Sequence, residues 1–281
     1  MIPKKVHYVW LSGEEMPTCL KMIQYIWRLI LPDYEFILWD YAKYSQIPNV
    51  PTYVKEAIRL KKWAFASDWI RLYAIWSEGG WYFDLDLQLF RDGISGLSHY
   101  SFVSAVENSE HSYYYYKGSN LNTQIQAAFL GSERFNPFAK ELLDYYNNLT
   151  FSFNGDSTLI APTIYSNVAL KYGFNPDKKE GIQKLTNGAV LLSHKHILAH
   201  KNWLQCLSIN DIPIALHHCY HSWTDKDWIV NEESVLENIT NMEILKKVYD
   251  KFIIKKKNFI SKFFNIFKAI YQFILKLVSN N

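Results

Sequence analysis

Two carboxylates, Asp84 and Asp86, stand two positions apart in the stretch Trp81-Tyr-Phe-Asp-Leu-Asp-Leu-Gln-Leu-Phe90. Trp81, Phe83, Leu85, Leu87 and Leu89 are apolar, and Tyr82, Asp84, Asp86 and Gln88 alternate with them. That period of two predicts one β-strand through the whole stretch, with a single face in the core. Both acids then share the other face, about 7 Å apart along the backbone. Like charges this close repel unless a cation or a shared proton reconciles them. A hard divalent ion with oxygen ligands, its shell completed by phosphates, is a natural answer. A solvated strand edge is the plainer alternative, but Asp is depleted in strands.

A second group of chemically able residues lies in Ile212-Pro-Ile-Ala-Leu-His217-His218-Cys-Tyr-His221-Ser222-Trp223, directly after an apolar strand candidate. Imidazole is a poor Mg²⁺ ligand and an acceptable Mn²⁺ ligand. Adjacent histidines also occur as ordinary surface polarity, so this cluster needs the diacid beside it to mean more.

The elements before the acids sharpen the reading. Trp63 to Trp76 reads as a buried helix, stopped by the Gly79-Gly80 pair. Asp68 and Arg71, three residues apart, share one face of it. Together, Ala66-Ser67-Asp68-x-x-Arg71-x-Tyr73 and Gly79-Gly80-x-Tyr82-x-Asp84-x-Asp86 resemble the signature of glycosyltransferases with a DxD-containing sugar-binding region. That is family 32, which includes capsular-polysaccharide and Och1-type transferases and is related to the clostridial glucosylating toxins. The opening Ile2-Pro-Lys-Lys-Val-His-Tyr-Val-Trp10 and the stretch from Asn122 to Gly131 followed by Asn136-Pro-Phe138 are similar to the same family.

The resemblance implies a GT-A fold, a mixed and mainly parallel sheet flanked by helices, and a UDP-sugar donor of the galactose, glucose or N-acetylglucosamine type. It implies that Trp10 stacks on uracil, that Asp68 fixes sugar hydroxyls, that Arg71 and Trp223 assist at the donor, and that Tyr82 lines the base or ribose. Asp84 and Asp86, with a histidine, would hold Mn²⁺ or Mg²⁺ against the diphosphate; between His217 and His218 the reading takes His218. His-His-x-x-x-Ser-Trp resembles the family's C-terminal motif, where Ser222 and Trp223 would touch the diphosphate. It also implies retention of anomeric configuration. Asp68, Asp84 and Asp86 are the catalytic candidates. In Thr158-Leu-Ile-Ala-Pro162, Ala161 stands where relatives often carry a glycine, and His221 likewise replaces a common glycine.

The remaining elements must position these groups. Lys5 to Leu11 and Tyr34 to Trp39 are strand candidates joined by a helix from Pro17 to Leu31, a βαβ unit. A short basic helix is expected from Val54 to Lys62, a strand over Ser101–Val106, a helix from Asn136 to Tyr146, and a polar loop over the site from Glu107 to Gly118 that contacts acceptor sugars. Neither GxGxxG nor GxxxxGK[ST] follows the early strands, so a nucleotide would be held by metal and side chains.

The chain has 281 residues, 17% of them aromatic, enough for one large domain with an appendage. The GT-A domain is expected over 1–230 and a helical region over 231–281. Seven lysines and no acid fall in residues 251–281, so the net +3 leaves the first 250 residues at −4. A mildly acidic body disfavours nucleic acid as a partner. From about 255 to 279, Ile260, Phe263, Phe267, Ile270, Ile274 and Leu277 recur at helical spacing opposite lysines, the pattern of a helix lying on an anionic membrane surface. Three cysteines without a framework fit a reducing compartment. No signal peptide is expected from the first ten residues, and no run of 18 uncharged apolar residues occurs. The expectation is a peripheral enzyme on the inner face of a bacterial cytoplasmic membrane, acting on glycan or lipid-linked glycan in capsule, O-antigen or lipooligosaccharide synthesis. One subclass of this reading and two other classes compete with it. A toxin-like protein glycosyltransferase differs only in acceptor. A haloacid-dehalogenase-type phosphatase shares the FDxD string but continues with Gly-Thr or Gly-Val where this chain has Leu87-Gln88. A noncatalytic sugar-binding or scaffolding role leaves the diacid unexplained.

Overall fold

In the computed structural model, the described residues are 1–107, 121–152, 160–178, 180–199 and 213–219. They form an α/β domain around a seven-stranded mixed sheet. Its strands are β1 (Lys5–Val9), β2 (Glu35–Trp39), β3 (Gly80–Phe83), β5 (Phe102–Ala105), β6 (Phe129–Ser132), β7 (Gln183–Lys184) and β8 (Ala189–Leu192), in the spatial order β2-β1-β3-β6-β5-β8-β7. The strands β2, β1, β3, β5 and β8 all run in one direction, while β6 and β7 run against them. A second sheet joins β4 (Leu87–Leu89), β10 (Ala215–His217) and β9 (Ile197–Ala199) in the order β4-β10-β9.

The inner strands β3, β5, β6 and β8 are buried along their whole length because both faces of the sheet's centre are covered, whereas the edge strands β2 and β7 are partly exposed. A one-turn α2 (Tyr41–Tyr44) follows β2, and one core packs α3 (Thr52–Arg59), α4 (Trp63–Ser77), α5 (Pro137–Tyr145) and α6 (Ala161–Leu170) against Val9, Trp39, Tyr82, Phe102, Leu130 and Leu191. The other packs α1 (Thr18–Ile30) against Val6, Tyr8, Trp81, Phe83, Phe129 and Val190. Alternation along β3 therefore sends Trp81 and Phe83 to one core and Tyr82 to the other. The βαβ unit, the strand over 102–105 and the helices of residues 18–30, 52–59, 63–77 and 137–145 stand where the sequence patterns put them, within a few residues.

The ten-residue strand expected through the acids does not form. β3 ends at Phe83, residues 84–86 turn, and β4 continues in the other sheet. The apolar alternation of 81–89 is real, but it arises from two short strands on either side of a turn. Leu85, expected in the core, is only half-buried.

Gly79 and Gly80 make the entry to β3 possible. Gly79, with φ +68, ends α4 in the left-handed conformation, its N–H bonded to the Ile75 carbonyl. Gly80, with φ +114, lies so close to β1 that a Cβ there would stand 2.9 Å from both Cβ and O of Lys5. After β6, Asn136 caps α5 by accepting from the N–H groups of Phe138 and Ala139, with Pro137 in the first turn. Among the described residues no helix is long and apolar enough to cross a membrane. The C-terminal helical region, the basic helix over 255–279, Ser222, Trp223, His221 and nearly all of the loop at 107–118 lie outside the described residues.

Candidate metal and donor site

The acids sit on a turn whose backbone is pinned from four directions. The Asp84 N–H donates to the Ala128 carbonyl on the β6 side at 2.9 Å, and the Leu87 N–H closes the turn onto the Asp84 carbonyl at 2.9 Å. From β10 the His218 N–H donates to the Asp86 carbonyl at 3.0 Å. From α1 the indole N–H of Trp27, itself fully buried, donates to the Leu87 carbonyl at 2.6 Å. Buried hydrogen bonds of this kind hold a turn rigid because breaking one strands a desolvated partner.

Three side-chain atoms converge on this turn. His217 Nε2 lies 3.2 Å from Asp86 Oδ1 and 3.8 Å from Asp84 Oδ2. One ligand atom from each of Asp84, Asp86 and His217 falls within 4.8 Å of the others. The other oxygen of Asp84 is occupied from behind. Its Oδ1 accepts from the Tyr82 hydroxyl at 2.6 Å and pairs with Arg71 Nη2 at 3.3 Å. Two carboxylate oxygens and an imidazole nitrogen, turned toward one point and braced on their far sides, suit a divalent cation of the Mn²⁺ kind. The residues present therefore fit such an ion.

The structure selects His217 where the sequence reading takes His218. In the antiparallel pair of β10 with β4, Leu216 stands opposite Gln88 and His217 opposite Leu87. Side chains alternate, so His218 leaves the strand on the face of Leu216 and Gln88. Its Nε2–H donates to Gln88 Oε1 at 2.9 Å, and burial pushes its pKa down to about 4, so it stays neutral. His217 is the opposite case. Burial works against its charged form, but the Cys219 sulfur and the Asp86 carboxylate outweigh that and hold its pKa well above the ordinary value.

Asp68, Arg71 and Tyr82, expected at the donor itself, stand behind Asp84. Tyr82 is fully buried because the helical layer covers its face of β3, so it braces Asp84 and does not line a base or ribose pocket. Arg71 Cζ lies 4.9 Å from the Tyr82 ring centroid, and its guanidinium bridges Asp68 Oδ1 at 2.9 Å, Asp84, and the Ala127 carbonyl at 2.9 Å. Asp68 also accepts from the backbone N–H of Ala161 in the first turn of α6, the favourable end of a helix for an anion. Burial nevertheless raises the Asp68 pKa to about 7, with Arg71 pulling the other way. Ala161-Pro162, at the position where a Gly-Pro loop is common, thus begins a helix tied to this buried pair.

Trp10 follows β1 directly and is half-buried, its indole N–H donating to the Glu14 carbonyl at 2.8 Å. β1 and β3 are parallel with His7 level with Tyr82, so Trp10, just past the end of β1, lies at the same end of the sheet as the turn that carries the acids. This is the carboxyl edge of the parallel strands, where open α/β sheets take their ligands. Gln88 and Cys219 were not singled out from the sequence. Strand parity with Leu216 would have found the first. The second is visible only once the backbone turns.

The Asp-x-Asp turn on this sheet falls within a region that matches a glycosyltransferase family. Residues 9–103 match the family described as "Glycosyltransferase sugar-binding region containing DXD motif", and Trp10, Asp68, Arg71, Asp84 and Asp86 lie inside the matched residues. Among solved structures, the chain is similar to "PaToxG Glycosyltransferase" (17% identity over 60% of this chain and 69% of that one, TM-score 0.44). It is also similar to "a glycosyltransferase involved in the glycosylation of the major capsid of PBCV-1" (9% identity, 83% and 99% covered, TM-score 0.45). A third is the galactosyltransferase LgtC in complex with donor and acceptor sugar analogues (10% identity, 92% and 99% covered, TM-score 0.43). No curated protein matches the chain in sequence.

Proposed function

We propose that the chain is a metal-dependent, retaining glycosyltransferase that moves a sugar from a UDP-sugar to a glycan acceptor of a bacterial surface polysaccharide. The observation that carries this reading is the convergence of Asp84 Oδ2, Asp86 Oδ1 and His217 Nε2 beside the carboxyl edge of β1 and β3. These three residues would hold Mn²⁺ or Mg²⁺. When bound there, such an ion supplies Lewis-acid stabilisation of the charge that develops on the departing diphosphate. The chain's own part is positioning. Tyr82 and Arg71 fix Asp84 from behind, the His218 N–H and the turn bond fix the Asp86 backbone, and Trp10 offers an aromatic face at the same edge. Ser222 and Trp223 follow His217 closely enough in sequence to reach the diphosphate, which is their proposed role. The seven lysines of residues 251–281 and the apolar face opposite them support a peripheral place on anionic membrane, where lipid-linked glycans are built.

Mass spectrometry and nucleotide release with a panel of UDP- and GDP-sugars, with and without EDTA, test this. The reading predicts UDP release from a UDP-hexose that stops when the cation is chelated. Turnover undiminished by EDTA, or release of GDP alone, contradicts it.

A further inference from the structure

Cys219 has no place in the proposed chemistry, yet its geometry is unusual in two ways. Its backbone adopts φ +54, the left-handed region that is unfavourable for a non-glycine residue. That conformation curls the chain back just after β10 and sets Sγ 3.4 Å from Nδ1 of His217 and 3.5 Å from the His217 carbonyl oxygen. The two contacts are complementary. The thiol S–H donates to the carbonyl, which leaves the sulfur lone pairs to accept from the ring Nδ1–H.

The proton on Nδ1 is thereby fixed, and Nε2 faces Asp86 and Asp84. A neutral imidazole has one protonated and one bare nitrogen, and only the Nδ1–H tautomer presents a bare Nε2 to a cation between the acids. Histidines that hold metals ordinarily have this service from a carboxylate or a carbonyl. Here no carboxylate takes that place among the described residues, and a thiol two residues along the chain does.

We propose that Cys219 is a positioning residue that sets the tautomer and ring orientation of His217 for cation binding, and that the left-handed backbone at 219 is held for that purpose. The inference rests on the metal reading above. It also explains why an imidazole so close to a strand end points steadily at the acids.

The test separates the sulfur from the backbone. Cys219→Gly keeps the left-handed turn and removes the thiol, and Cys219→Ser keeps a smaller donor and acceptor. Free Mn²⁺ is followed by electron paramagnetic resonance during titration of the full chain. Two-bond ¹⁵N–¹H correlations of the metal-free protein at alkaline pH identify the His217 tautomer. Cys219→Gly is expected to weaken Mn²⁺ binding about tenfold, within the usual range for groups that orient a metal ligand, and to lose the pure Nδ1–H tautomer. Cys219→Ser is expected to recover most of both. Unchanged affinity and an unchanged tautomer in Cys219→Gly would overturn the proposal, since the backbone alone would then suffice. If the wild type binds no Mn²⁺ while the tautomer still depends on residue 219, the metal reading fails and the positioning role stands on the spectrum alone.

Discussion

Removing the titrating ring of His7 should flatten the acid side of the stability curve. His7 lies in the middle of β1, fully buried, and its two nitrogens have fixed roles. The Nε2–H donates to the Gly79 carbonyl at 2.8 Å, and Nδ1 accepts from the Trp39 indole at 3.1 Å. The bond from Trp39 requires the neutral ring, since a protonated Nδ1 cannot accept, and burial lowers the ring's pKa to about 4 from 6.5 although the Gly79 carbonyl pulls the other way. A folded pKa below the unfolded one means the unfolded chain takes up the proton first. The ring's contribution is therefore complete above pH 6.5 and is lost as pH falls from 6.5 toward 4. The gap corresponds to about 3 kcal/mol over that window. Asp68, raised to about 7, works in the opposite direction over much of the same range, so the comparison must be a difference between two proteins. In urea unfolding at steps from pH 7 to pH 4.5, the wild type should lose about 2–3 kcal/mol more than His7→Gln. Gln keeps a donor for Gly79 and cannot titrate. An offset between the two at pH 7 is immaterial, because the slope carries the argument. Parallel curves would show that the ring does not hold β1 to the Gly79-Gly80 turn in its neutral form.

Three further outcomes follow from the same geometry. Arg71→Met leaves Asp68 and Asp84 without their shared buried cation and should cost about 3–5 kcal/mol in thermal or chemical unfolding, with Arg71→Lys recovering only part because it cannot bridge both acids. His217 binds a proton unusually tightly, so a cation must displace it; Mn²⁺ affinity should fall as pH is lowered through neutrality, by up to about tenfold per pH unit, and calorimetry on His217→Ala should show a flatter dependence. A chain ending at Asp250 should lose sedimentation with anionic liposomes while keeping UDP-sugar hydrolysis, and equal sedimentation of both lengths would remove the membrane reading.

Much of this was legible in the residues because local rules and tertiary context agree. The βαβ start, the buried helix of residues 63–77 and the glycine pair after it follow from periodicity and from the need for positive φ. The diacid stood out because two like charges two residues apart need a partner, and the structure supplies Arg71 and Tyr82 to Asp84 and His217 to Asp86. What failed was continuity and facing. Leu87 and Leu89 keep the alternation of Trp81 and Phe83, so a pattern of period two cannot reveal that the chain changes sheets between them. The choice of histidine depends on β10 pairing with a strand some 130 residues earlier, a register no local pattern encodes. Tyr82 reads as polar in an alternating strand, but a sheet covered on both sides turns it into a buried brace. Strand α-versus-β choices over 161–170 and 189–192, which the sequence reading left unassigned, are decided by packing on the two faces of the sheet.

The central claim is that Asp84, Asp86 and His217 form one cation site, and Mn²⁺ titration followed by electron paramagnetic resonance addresses it directly. In the presence of UDP, the wild type should take up one Mn²⁺, while Asp86→Ala and His217→Ala should each weaken it by at least about tenfold. His218→Ala should remain near wild type, since that ring is engaged with Gln88. Undiminished binding in Asp86→Ala, or a loss confined to His218→Ala with His217→Ala unaffected, would contradict the account.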